Sequence, residues 1–258
     1  MRFGGKRALV TGGGRGIGAA IARSLAAEGA MVAVSARTAS EVNEVVEGIV
    51  GAGGHAQAFI ADLSKPEEAR ALVGAVEAAL GPLEFLINNA GVASSAPVSK
   101  ISLEEWNRIF AINVTATFLC TQAALPGMME RKSGRIINIA SVAARMGARY
   151  IAAYAASKHA VLGFTRCVAA EAAESGVTAN AVCPAFVDTA MVAESVSRIV
   201  ARTGMPAEKA LEAIQNQSPQ KRLLTTAEVA HVVLTLCAQE SRGINGQAIV
   251  IDGGGLLS

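Results

Sequence analysis

RALVTGGGRGIGAAIARSL, Arg7 to Leu25, is the stretch whose reading decides the fold. A short apolar run, Ala8 to Val10, leads straight into Gly12, Gly13 and Gly14, after which Ile17, Ile21, Ala22 and Leu25 recur at helical spacing. That order is strand, glycine turn, helix. Backbone amides at a helix N-terminus attract phosphate, and glycines at Gly12, Gly16 and Gly18 let a pyrophosphate come close to the main chain. A glycine-rich turn alone is a weak signal whose bland reading is an ordinary tight turn. Between the strand and the helix of a first βαβ unit it points to a bound dinucleotide.

Outward from that turn the alternation continues. Strands are expected at Met31 to Ser35, His55 to Ile60, Leu83 to Ile87, Arg135 to Ile139, Val177 to Val182 and Ala248 to Ile251. Helices are expected at Glu41 to Val50, at Pro66 to Leu80 with Ser64 as its N-cap, over a long stretch from Leu103 to Arg131, at Ala152 to Glu174 and near Ala227 to Cys237. Strands separated by helices of this length imply a parallel sheet covered on both faces. The expected fold is therefore α/β, a Rossmann-type doubly wound sheet of seven parallel strands with helices on both faces. One stretch breaks the rhythm: residues 188–217 are polar, helical in pattern and carry Pro206. An insertion after a strand's carboxyl end lies where open α/β sheets place ligands, so it is read as a substrate lid, with a surface hairpin as the plain alternative.

The 258 residues, 52% hydrophobic and 17% charged, suffice for one large core, and a single domain over residues 1–258 is expected. A net charge of +2, evenly spread, favours neither a nucleic acid nor a membrane as partner. Glycines and charged residues are read as interrupting every apolar run short of a membrane span. Four cysteines, Cys120, Cys167, Cys183 and Cys237, form no CxxC pair and meet no histidine cluster, so they read as reduced core residues and no metal site is expected. The N-terminal MRFGGKRALVTGG passes from a basic patch directly into a strand-like run without the apolar core of a signal peptide, and the cytoplasm is the expected location.

The second strand indicates which dinucleotide binds. An acid at its end would hydrogen-bond a ribose hydroxyl, whereas an arginine would accommodate a 2′-phosphate. The sequence reads VAVSAR, with no acid at Ser35 or Ala36 and Arg37 next. Arg15, inside the glycine turn, brings a second guanidinium to the same region. NADP(H) is favoured over NAD(H); the bland reading of both arginines is surface charge.

SVAARMGARYIAAYAASK, Ser141 to Lys158, carries the chemistry. Tyr154 and Lys158 are four apart and share a helix face, while Ser141 follows the preceding strand. A hydroxyl, a phenol and an ammonium together can move a proton onto or off an alcohol oxygen. In isolation, a tyrosine with a lysine at i+4 is more often a packed ring beside a solvated charge, and Asn113 alone would merely cap or bend its helix. His159 points to another face and reads as structural or interface-facing.

With these residues in place the sequence resembles the short-chain dehydrogenase/reductase family, in its single-domain form, over essentially its whole length. TGGGRGIG at Thr11 to Gly18 is similar to that family's cofactor turn, NNAG at Asn88 to Gly91 to its mark after the fourth strand, and Asn113, Ser141, Tyr154 and Lys158 to its catalytic tetrad. The resemblance implies cofactor contacts from Gly12, Arg15, Gly16, Ile17 and Gly18 in the turn, and from Arg37, Asp62 and Leu63 at the adenosine end. It implies further contacts from Asn89, Ala90 and Gly91, then from Tyr154 and Lys158, and from Pro184, Val187 and Thr189 of PAFVDT at the nicotinamide end. Ala185 replaces the glycine usual after that proline.

The roles implied are a hydrogen bond from Ser141 to the substrate oxygen, proton transfer by Tyr154, a grip on the nicotinamide ribose by Lys158, and a water anchored by Asn113. A free phenol has a pKa of ~10, and Lys158 together with an oxidised nicotinamide is expected to lower it. The C-terminal half resembles members that reduce 3-oxoacyl thioesters or polyketide β-ketones. The implied activity is NADPH-dependent reduction of a carbonyl to a secondary alcohol on a 3-oxoacyl-CoA, acyl-carrier or polyketide-type substrate. The alternatives are a dehydrogenase of a free secondary alcohol, ketone or 3-hydroxy acid, and a non-catalytic NADP-binding regulator. Arg145, Arg149, Arg198 and Arg202 would flank the cleft or ride on the lid, where they could meet the phosphates of coenzyme A or a phosphopantetheine arm, with solvated surface charge as the plain alternative; Arg145, Met146, Arg149 and Tyr150 would help form the substrate wall. Many small apolar residues on the two long helices permit close packing, and the resemblance, in which these helices pair across a dimer axis, implies a homotetramer.

Overall fold

The computed structural model describes residues 1–256. The strands are β1 (Arg7–Thr11), β2 (Met31–Ala36), β3 (His55–Ile60), β4 (Phe85–Asn88), β5 (Gly134–Ile139), β6 (Val177–Pro184) and β7 (Ala248–Ile251). They form one seven-stranded sheet in the order β3-β2-β1-β4-β5-β6-β7, with every pairing parallel. The helices are α1 (Gly16–Ala27), α2 (Ala39–Gly51), α3 (Pro66–Leu80), α4 (Leu103–Phe110), α5 (Ala116–Glu130), α6 (Ala152–Ala172), α7 (Ala190–Thr203), α8 (Ala207–Gln215) and α9 (Thr226–Cys237). Residues 257 and 258 of the expected single domain lie outside the described residues.

The central strands are apolar on both sides because helices cover both. Along β1, Ala8 and Val10 pack with Ile21 and Leu25 of α1 and Val229 and Val233 of α9, while Leu9 between them packs with Leu72 and Val76 of α3 and Leu119 of α5. The two-residue period of a strand thus feeds two cores. Strand order reverses direction around β1 and β4, opening a crevice at the carboxyl ends of these strands. The glycine turn follows β1, the NNAG segment closes and follows β4, Ser141 follows β5 and the segment after Pro184 follows β6, all at the carboxyl edge of the sheet.

Four local expectations are corrected. Lys65, not Ser64, flanks the start of α3, and Pro66 occupies its first turn; the Ser64 hydroxyl instead donates to Asp62 Oδ1 at 2.7 Å. The long helical stretch is not one regular helix: a π-helical turn at Ala111–Thr115 separates α4 from α5, and Pro126 sits inside α5. No charge interrupts Ile109 to Met129, so Leu103–Glu130, which contains an 18-residue window of mean hydropathy 1.4, is long and apolar enough by length and composition to cross a membrane. Its apolarity has a different cause here: Ile109, Ala116, Leu119, Cys120, Ala124 and Met128 are buried within the protein. Among the cysteines, Cys120, Cys183 and Cys237 are buried as expected, but Cys167 is exposed on α6. All four are free thiols.

Candidate active site

The glycine turn is shaped by contacts that exclude side chains. Gly12 has φ +62°, and a Cβ there would come within 2.9 Å of the Ala90 Cα. A Cβ on Gly18 would collide with the Gly12 carbonyl oxygen, so no larger residue fits where α1 meets the end of β1. Asn89 closes the arrangement from the next strand: its side-chain amide donates to the carbonyls of Thr11 at 2.9 Å and Gly12 at 3.0 Å. Thr11 Oγ1 in turn accepts from the backbone amides of Asn89 and Ala90, at 3.0 and 3.1 Å. Gly16, at φ +55°, faces Thr189, whose Cγ2 would lie 3.3 Å from an added Cβ. The turn after β1 and the turn after β6 therefore meet, and the bare cradle fits a dinucleotide pyrophosphate lying between them.

At the adenosine end, no acid follows β2. Arg37 lies close enough to Asp62 to help hold its carboxyl below the usual range, after the larger effects of hydrogen bonds from the Ser64 hydroxyl and amide. Arg15 is largely exposed and lies 3.7 Å from Glu41 Oε1. Sequence reasoning did not single out Glu41, which pairs with Arg15. Its place in the first turn of α2, three residues after Thr38, was the available signal.

The four residues of the expected tetrad come from three places in the fold: the π-helical turn, the end of β5 and α6. Asn113 sits in the π-helical turn, buried, with its side chain clamped on Val92: Oδ1 accepts from the Val92 amide at 2.8 Å and Nδ2 donates to the Val92 carbonyl at 2.9 Å. Nδ2 also donates to Ser157 Oγ at 3.0 Å, and Ser157 donates to the Tyr154 carbonyl at 2.7 Å. The bend reading of Asn113 is thus correct as local structure, and the same side chain ties that bend to the helix bearing Tyr154. Ser141 follows β5, where its Oγ accepts from the Ala143 amide at 3.1 Å. Its hydroxyl is also hydrogen-bonded to Tyr154. Lys158, on the same face of α6 as Tyr154, is buried, donates from Nζ to the Ile139 carbonyl at 2.8 Å, and lies 5.7 Å from the centroid of the Tyr154 ring. A Cβ on Gly91 would stand 3.4 Å from both Asn113 Oδ1 and Lys158 Nζ, which places NNAG against this group.

Burial governs the protonation of the pair. It pushes the Tyr154 phenol above its ordinary value, with the Ser141 hydrogen bond opposing. It pushes Lys158 down to about 8. The expected lowering of the phenol, which invoked Lys158 together with an oxidised nicotinamide, is not a property of the chain by itself, where desolvation raises it.

The segment after β6 has ordinary backbone geometry. Ala185 does not have a positive φ and donates from its amide to the Ile251 carbonyl at 2.9 Å, so the methyl in place of glycine fits. Val187 forms an isolated parallel bridge with Leu224, and Thr189 Oγ1 donates to the Val187 carbonyl at 3.2 Å. Beyond it, α7 and α8 pack on each other, and Arg202 of α7 stands 5.2 Å over the ring of Tyr150, itself at φ +71°. Arg198 is turned along its own helix, donating to Ser195 Oγ at 3.1 Å. His159 is exposed, with Nδ1 2.9 Å from the Ala155 carbonyl.

A family model described as short chain dehydrogenase matches residues 6–200. A D-beta-hydroxybutyrate dehydrogenase of Cupriavidus necator is 36% identical over 251 residues, covering 97% of each chain. A 3-oxoacyl-[acyl-carrier-protein] reductase of Synechocystis is 38% identical over 249 residues, covering 96% of this chain and 95% of that one. Among solved structures, a variant of actinorhodin polyketide ketoreductase with NADPH superimposes with a TM-score of 0.93 at 36% identity, covering 97% of each chain.

Proposed function

Since the chain belongs to the short chain dehydrogenase family, we propose that it is an NADPH-dependent reductase converting a β-keto group, carried on coenzyme A, an acyl carrier or a polyketide-type chain, to a secondary alcohol. The observation that carries the reading is the grouping of Ser141, Tyr154 and Lys158 beside NNAG and the glycine turn. Bound in that cradle, a nicotinamide dinucleotide would supply the hydride. The Ser141 hydroxyl would hold the carbonyl oxygen as charge builds on it, and the Tyr154 O–H would deliver the proton. Lys158, fixed by the Ile139 carbonyl, would hold the nicotinamide ribose.

Arg15 and Arg37, with no acid at Ser35 or Ala36, support NADP(H); Glu41 beside Arg15 moderates that charge. Residues 188–217 serve in this reading as a lid, with Arg202 resting on Tyr150, and Arg145, Arg149 and Arg198 as further cations for a carrier's phosphates. The exposed apolar residues Trp106 of α4 and Phe118 of α5 support assembly into a homotetramer, and four free thiols support the cytoplasm. A second reading, oxidation of a free 3-hydroxy acid, is supported by the likeness to the hydroxybutyrate enzyme. The intact tetrad argues against a non-catalytic regulator.

Measuring kcat/KM for acetoacetyl-CoA, a free β-keto ester and 3-hydroxybutyrate with each cofactor tests the proposal. A preference for the thioester and for NADPH is expected. Equal use of the free ester would remove the carrier, and preference for 3-hydroxybutyrate would select the second reading.

A further inference from the structure

A second polar cavity lies at the opposite end of the sheet, where β1, β4 and β5 begin. It measures about 120 Å³ and is lined by Arg2, Phe3, Lys6, Glu84, Arg135 and Glu240 among others. Arg135 opens β5 and is 5% exposed. Its Nη1 donates to the Gly134 carbonyl at 2.9 Å, and its Nη2 donates to Gln239 Oε1 at 3.1 Å. Its Nε, buried, has no partner. No carboxylate forms an ion pair with Arg135, Arg2 or Lys6 among the described residues.

A guanidinium stays charged at every physiological pH, and withdrawing it from water without a counter-charge is costly. The neighbours do not supply that counter-charge. Both oxygens of Glu84 are engaged by Arg7, at 2.7 and 3.2 Å. Cys237, also on the lining, has its thiol pushed up to about 12 by burial and so remains neutral. Glu240 is the one uncommitted carboxylate, against three cations. Arg2 is held at the rim, 5.3 Å over the ring of Phe3.

We propose that this cavity is a binding site for a small oxyanion, the phosphate or carboxylate group of a free small molecule, held by Arg135 with Arg2 and Lys6 and separate from the catalytic crevice. The site stands independently of the substrate reading, because none of its residues belongs to the glycine turn or the tetrad.

Thermal unfolding of the full chain, titrated with phosphate, with acetate and with chloride at matched ionic strength, tests it. A saturable rise in midpoint with phosphate or acetate over chloride is expected, and the stronger arm names the group. The double variant Arg2→Gln, Lys6→Gln alters only exposed positions and should weaken the apparent affinity by roughly three- to twentyfold. Arg135→Gln should abolish the response. In Arg15→Gln, Arg37→Gln, which removes phosphate contacts in the catalytic crevice, the part of the response that depends on Arg135 should persist. Absence of a saturable rise in the unaltered protein, an equal rise in the Arg2, Lys6 variant, or a rise lost instead in the Arg15, Arg37 variant would overturn the proposal.

Discussion

Lys158 and Tyr154 show how one pair of residues trades stability for chemistry. Lys158 ordinarily titrates at 10.5 and is held at about 8 in the fold, a difference of about 3 kcal/mol between its two protonation states. The unfolded chain binds the extra proton between those two values, so stability rises with pH across that window, and the full penalty is present below pH 8. Without cofactor, Lys158→Met should therefore be more stable than the unaltered protein at pH 7. That advantage should shrink as pH is raised from 8 to 10, while turnover is lost at every pH; paired urea titrations across this range check it. Tyr154→Phe removes the O–H but keeps the ring, and should lower kcat by about 10²- to 10⁴-fold with cofactor affinity nearly intact. Near-normal turnover in that variant would assign the proton to another group. Both residues were legible from their spacing; the direction in which burial moves them was not, because it depends on β5 and β6 lying over the helix.

At the scale of elements, local chemistry and tertiary constraint divide unevenly. The start of α9 is written in its own residues: Thr225 accepts from the Glu228 amide at 3.2 Å, and Glu228 reaches back to the Thr225 amide at 2.7 Å. Hydrogen bonds from Arg222 and from Thr225 hold the Glu228 carboxyl down at about 2. Thr225→Ala should cost about 1 kcal/mol in a urea titration. Adding Glu228→Gln should then cost less than it does alone, since the reciprocal cap is already broken. The start of α3 was misread for the converse reason. Ser64 is a good capping residue by type, but Asp62 two residues earlier captures its hydroxyl. The π-helical turn at Asn113 has no local signature either; it is held by Val92, in the segment after NNAG, which the chain brings there only on folding.

For the whole molecule, the outer surfaces of α4, α5 and α6 carry more apolar area than a solvent face needs. Leu103, Trp106 and Phe118 are exposed, and Phe118 meets Phe164 of α6 with ring centroids 5.9 Å apart. Sedimentation of the unaltered protein should show an assembly larger than a monomer, and Phe118→Glu, which places a charge on that face, should yield smaller species; a monomer in both would remove the assembly. What the sequence by itself determined was the periodic alternation of strands and helices, the glycine turn, and the types and order of the reacting residues. Each is encoded within a few neighbouring positions, so chain-local sterics and spacing suffice to read it. Only the tertiary structure decided that Glu41 shares Arg15, that Asn113 grips Val92, that Cys167 is exposed while Cys183 is buried, and that Arg135 is buried without a counter-ion. Those depend on which distant segments the parallel sheet sets side by side, and burial and electrostatics follow from that adjacency rather than from residue type.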